Sequence, residues 1–344
     1  MVTRNVKHLG LHRVSGIELR VVSDIETGVI PLVQVEEEVI RRYVQHGGWP
    51  HRWVTLFILQ DLNPLTRQLE TGAHSLFGGT VDLDDRPVVN VYDLANLAGC
   101  HVFVNRREMG NHGYWDSALA IQGLLAHEHA HPLAENETIR SSRAIQLKLS
   151  LGDSVAACGR QSAQLLRKER VEPLLISLIN KVCLYGPREV FTNELALRAG
   201  FNQALLHLGR RNVDTARRSL SGRKTLLQNL ARGMAAGELT AQEANQLLLI
   251  GDLQIYLELA MEVAPFLRAK RNNDVRELES VLEVAVFPHV ESEVRRVYVT
   301  LREAYVHLRA ELTSTDMRAW VRQVIQGLAE TLAGKELDLQ YDLE

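Results

Sequence analysis

The chain has 344 residues, of which 46% are hydrophobic, and a formal net charge of −3 at pH 7. That is enough apolar material for one large or two ordinary domains, and the near-neutral balance points to no nucleic-acid partner. Cys100, Cys158 and Cys183 are odd in number and widely spaced, which excludes a disulfide framework or a cysteine-built zinc site.

No apolar segment of signal-peptide type follows Lys7, and no run approaches the ~18 apolar residues of a membrane span. A cytoplasmic, membrane-free protein is expected. Residues 17–21 alternate apolar and charged side chains, as a half-buried strand does. Residues 33–45 are expected to form a helix with Val35, Val39, Ile40 and Tyr43 on one side. The acidic run Glu36, Glu37, Glu38 within it is expected to face solvent. Residues 53–59 are almost continuously apolar and read as a central strand. Residues 79–83 and 87–92 read as strands flanking a turn at Asp84 and Asp85. Residues 100–105 are a further short strand, followed by a link over 109–113.

The segment 117–131 carries the chemistry. Asp116 or Ser117 can cap a helix start, and the run that follows is apolar up to His127, Glu128, His129, Ala130 and His131. Pro132 removes a backbone donor and ends or bends the helix after both outer histidines. Residues four apart share a helix face. His127 and His131 can therefore point two imidazoles at one zinc ion, with Glu128 placed to reach a water on that ion. An unpaired glutamate in so apolar a helix is costly, so the cluster asks for a partner. His129 lies off this face and reads as a supporting or packing residue.

From about residue 136 the pattern is helical. Helices are expected over 138–151, 162–184, 189–208, 213–233, 241–268, 275–286, 292–312 and 317–332. Breaks are expected at Gly186-Pro187, Gly209, Gly237 and Phe287-Pro288. Thr240 to Glu243 is a capping box. The basic residues between Arg210 and Arg232 lack interleaved aromatics, so they read as a solvated helix face rather than a nucleic-acid surface. The acidic tail 338–344 is also expected to face solvent. Gly78-Gly79-Thr80 lacks the lysine and context of a phosphate loop. The organisation expected is α+β: an N-terminal region 1–135 with a mixed sheet and the motif helix, then an all-α lobe, 136–344, completing a cleft.

On the His127-Glu128-x-x-His131 helix, the mixed sheet and the helical lobe, the chain resembles the zincin metallopeptidases over roughly residues 50–210. The resemblance implies zinc bound by His127 and His131, Glu128 as general base, and an edge strand at 100–105 that aligns a peptide. The gluzincin branch takes its third ligand from a later helix, often in an Asn-Glu pair. Asn193-Glu194 matches this, and Glu194 is the ligand so implied, although Arg198 stands where many gluzincins have an aspartate. The metzincin spacing falls on Glu137, with Ala134 in place of the turn glycine; Glu135 is another alternative. The expected activity is zinc-dependent hydrolysis of a peptide bond in a protein or peptide substrate, with Glu128 moving the proton. The oxyanion needs a donor besides zinc; His112, Tyr114, Tyr185, Arg188 and His207 are candidates. Two other readings stand beside this one: a catalytically silent, zincin-like helical binding module, and a zinc amidohydrolase acting on a non-peptide amide.

Overall fold

A computed structural model describes residues 6–62, 86–152 and 171–344. The strand expected at 79–83, its Asp84-Asp85 turn, the Gly78-Gly79-Thr80 segment, Cys158 and the start of the helix expected at 162 lie outside the described residues. The architecture is α+β, and the chain divides into two units. The first comprises Met1–Ala134 and Leu195–Leu208, the second Glu135–Glu194 and Gly209–Glu344. The return of Leu195–Leu208 to the first unit has no signature in the local sequence.

The first unit is built on a five-stranded mixed sheet of order β1-β2-β3-β5-β4. Its strands are β1 (Lys7–Val14), β2 (Ile17–Ser23), β3 (Trp53–Leu59), β4 (Val88–Asp93) and β5 (Asn96–Asn105). β1 escapes the sequence pattern because it is an edge strand with mostly exposed side chains. It turns into β2 through Ser15 and Gly16, both at positive φ (49° and 86°), the backbone a two-residue hairpin requires. β3 lies in the middle, parallel to both β2 and β5. Its Val54, Leu56 and Ile58 are fully buried, as a continuous apolar run predicts. β4 pairs antiparallel with β5 and forms the sheet edge among the described strands. The strand over 100–105 is therefore internal. The expectation of an edge strand there is corrected: β5 is hydrogen-bonded on both sides, and the edge role falls to β4.

Helix α1 (Val29–His46) connects β2 to β3 and buries Val29, Leu32, Val33, Glu36, Val39, Ile40 and Tyr43. Glu36 thus departs from the solvent-facing reading of its acidic run, whereas Glu37 pairs with His12 and Glu38 with Arg42. The link expected at 109–113 is partly helical, as α2 (Arg106–Asn111). The motif helix α3 (Ala118–Ala130) packs against α1. Tyr43 donates its hydroxyl to the Ala126 carbonyl at 2.6 Å. A glycine in a helix interior costs about 1 kcal/mol relative to alanine, and Gly123 has a steric reason to be there. A Cβ at this position would stand 2.9 Å from the Ala204 carbonyl oxygen and 2.7 Å from Leu208.

Among its described residues the second unit is helical apart from one two-stranded sheet. Its elements are α4 (Glu137–Ala144), β6 (Leu147–Leu151), α5 (Glu172–Asn180), a π-type turn over Lys181–Tyr185 and most of α6 (Gly186–Arg198). They continue with the greater part of α7 (Asn202–Ala235), then α8 (Ala241–Tyr256), α9 (Glu258–Arg268), α10 (Asn272–Ala285), α11 (Ser292–Val306), α12 (Ser314–Ala333) and β7 (Leu339–Leu343). The single helix expected over 138–151 is two elements. Leu147, Leu149 and Leu151 alternate with Lys148 and Ser150, a period of two, and this segment pairs antiparallel with β7. Part of the acidic tail is accordingly a strand, with Leu339 and Leu343 buried. Helical winding also continues through Gly186-Pro187 and Gly209. Pro187 offers no N–H to the preceding turn, and the Val182 carbonyl of that turn accepts from the Tyr305 hydroxyl. The capping box at Thr240 and Glu243 is present in both directions.

Candidate metal centre

Ser117 caps α3, its hydroxyl accepting from the Ala120 N–H at 3.3 Å. The helix ends at Ala130, two residues before Pro132. His131 keeps helical backbone angles (φ −52°, ψ −53°), so it still lies one turn beyond His127. The two imidazoles meet edge to face, with ring centroids 4.7 Å apart and planes at 82°. Glu128 Oε2 lies 4.0 Å from His131 Nε2. One ligating atom each from His127, Glu128 and His131 falls within 4.8 Å of the others, and no other such group occurs among the described residues. His131 and Glu128 are nearly buried. Two imidazole nitrogens and a carboxylate oxygen are donors that suit zinc, and such a cluster with little water around it is well placed to hold a cation.

The Glu128 carboxylate is held by a residue that sequence reasoning missed. Asn90, on β4, donates its backbone N–H to Glu128 Oε2 at 3.1 Å and its side-chain amide to the Glu128 carbonyl at 3.2 Å. The one signal in the sequence is a polar residue inside the apolar run Val88, Val89, Asn90, Val91.

His129 points away from this group, as its position off the ligand face requires. Its Nε2–H donates to Glu36 Oε1 at 2.7 Å, and both side chains are fully buried. The His129 ring packs on Trp49 at 4.8 Å, and Trp49 meets His51 at 5.4 Å. His51 Nδ1 donates to the Leu97 carbonyl at 2.7 Å. Burial lowers the His51 pKa to about 4, so this imidazole is neutral at pH 7. The Cys100 thiol is buried and its pKa is pushed well up by desolvation, which keeps it from acting as a thiolate.

The remaining residues singled out in the sequence are placed as follows. Glu194 lies in the second unit, where its Oε2 accepts from Arg268 Nε at 2.6 Å. Arg268 also donates to the carbonyls of Tyr305 and Val306 at 3.1 Å. Glu135 forms a two-pronged pair with Arg143, and Glu137 pairs with Arg140 at 3.0 Å. None of the three glutamates belongs to the group formed by His127, Glu128 and His131. Among the oxyanion candidates, His112 stacks on Tyr114 at 5.5 Å. His207 Nε2 lies 3.2 Å from Ser117 Oγ, at the far end of α3 from His127, about 15 Å along the helix axis. Tyr185 and Arg188 belong to the second unit, and Tyr185 is 65% exposed. Among the described residues no helix is long and apolar enough to cross a membrane. No protein family, curated protein or solved structure matches the chain, so any functional reading rests on this geometry.

Proposed function

We propose that the chain is a zinc-dependent peptidase of the zincin type. The observation that carries this reading is the convergence of His127, Glu128 and His131 within 4.8 Å on one face of a capped helix. His127 and His131 would hold the metal. Zinc, when bound, supplies positive charge that polarises a scissile carbonyl and acidifies water. Glu128 takes the proton of the attacking water on its carboxylate and delivers it to the leaving amine. Asn90 fixes the orientation of that carboxylate through its backbone N–H, so the base is set before substrate arrives. Near-burial of Glu128 and His131 limits competing water. The zincin resemblance makes Glu194 the third protein ligand, a role that would compete with its bond to Arg268.

The test is Glu128→Gln, which retains the side chain's size and removes the base. Zinc-loaded wild-type protein is incubated with a complex peptide mixture and new termini are counted. Cleavage by the wild type that falls by ~100-fold or more in the variant is expected, the scale of a lost general base. Equal cleavage by both proteins would refute the role of Glu128. No cleavage by zinc-loaded wild type would count against a peptidase.

A further inference from the structure

Glu36 breaks the pattern of its own helix. The buried face of α1 runs Val29, Leu32, Val33, Glu36, Val39, Ile40, Tyr43, and a carboxylate stands where spacing calls for an apolar side chain. Burying a carboxylate is costly unless it is paired. Among the described residues it is hydrogen-bonded to His129, the middle histidine of the motif. At 100° per residue, His129 is turned about 200° from both His127 and His131, on the opposite side of α3. Two bonds thus tie α3 to α1: Tyr43 to the Ala126 carbonyl and His129 to Glu36. The stack of His129, Trp49 and His51, anchored on Leu97 of β5, extends the tie to the sheet. Glu36 Oε2, His129 Nδ1, Trp49 Nε1 and His51 Nε2 meet no hydrogen-bond partner among the described residues. So many buried polar atoms in one place are poor packing, and a local rule broken this way marks a site where something besides stability is served.

We infer that Glu36 and His129 are positioning residues: their hydrogen bond fixes the rotation of α3 about its axis and so aims His127, Glu128 and His131 at the metal. In its effect on metal binding, this inference rests on the zinc reading above. A helix free to rotate would spread the two imidazoles over several orientations and weaken their joint grip on one ion.

The test compares two full-length variants with the wild type. Glu36→Gln keeps an oxygen that accepts from His129. The double variant Glu36→Met, His129→Leu removes both polar partners at similar volume, so neither member of the bond is left as a buried orphan and folding is preserved. Two quantities are read: zinc affinity by competition with a chelator, and the ring resonances of His127 and His131 without metal. Glu36→Gln should match the wild type in both. The double variant should melt near the wild-type temperature, show shifted His127 and His131 resonances, and bind zinc about 10- to 100-fold more weakly, the range for lost support around a metal site. Unchanged His127 and His131 resonances in the double variant would overturn the inference. A wild type that takes up no zinc would refute the metal reading alone, because the ring resonances still decide the positioning role.

Discussion

Asn90 grips Glu128 at both ends: its backbone N–H meets the carboxylate at 3.1 Å, and its side-chain amide meets the main-chain carbonyl at 3.2 Å. One residue on the outermost described strand of the sheet thereby fixes both the base and the last turn of the motif helix. Asn90→Ala deletes the second bond and leaves the first. It should cost about 1 kcal/mol of stability, the net worth of one such bond, and leave zinc affinity unchanged, because the N–H on the carboxylate remains. Denaturant unfolding and a zinc titration check the two halves; an unchanged midpoint would contradict the first.

His51 makes stability depend on pH in a defined window. Its folded pKa is about 4, below the ~6.5 of an unperturbed histidine. Between these values the unfolded chain binds a proton that the folded chain does not. The contribution is therefore complete above pH ~6.5 and is lost as pH falls, levelling off below pH ~4. At most, about 3 kcal/mol is involved. His51→Asn keeps a donor for the Leu97 carbonyl and cannot titrate. The loss of stability between pH 7 and pH 4.5 should be smaller in the variant than in the wild type; identical losses would contradict the assignment.

Glu194 has a role that its ion pair defines and a second that the zincin resemblance implies. Both members of the pair are largely buried, so Glu194→Ala leaves the Arg268 charge with carbonyl acceptors but without its carboxylate and should cost about 3 kcal/mol. Glu194→Gln separates the roles, since an amide oxygen still accepts from Arg268 but is a poor zinc ligand. A ligand role predicts a loss of zinc affinity of about tenfold or more in Glu194→Gln, with the melting temperature little changed. Wild-type zinc affinity in that variant would remove Glu194 from the metal and return the third position to Glu135 or Glu137.

The motif helix was legible because its determinants are local: a serine cap, an apolar run, histidines four apart and a proline stop. The central strand Trp53–Leu59 was legible for the same reason. What stayed hidden depends on contacts distant in sequence. Asn90 meets Glu128 across 38 positions, and Glu36 meets His129 across 93. Neither leaves a periodic trace beyond a polar residue in an apolar stretch. The acidic run at Glu36 misled because three like charges usually share a solvated face, whereas the helical period turned one of them inward. Residues 147–151 continue the leucine-rich composition of a helix, but their alternation has the period of a strand.

The central claim is that His127 and His131 hold a metal. Purified full-length protein is exposed to excess zinc, passed over a desalting column and assayed for metal by mass spectrometry. About one zinc per chain is expected in the wild type, and none in His127→Ala or His131→Ala, since a structurally intact site loses its ion with its ligands. A wild type that emerges without zinc, or histidine variants that retain it in full, would contradict the account.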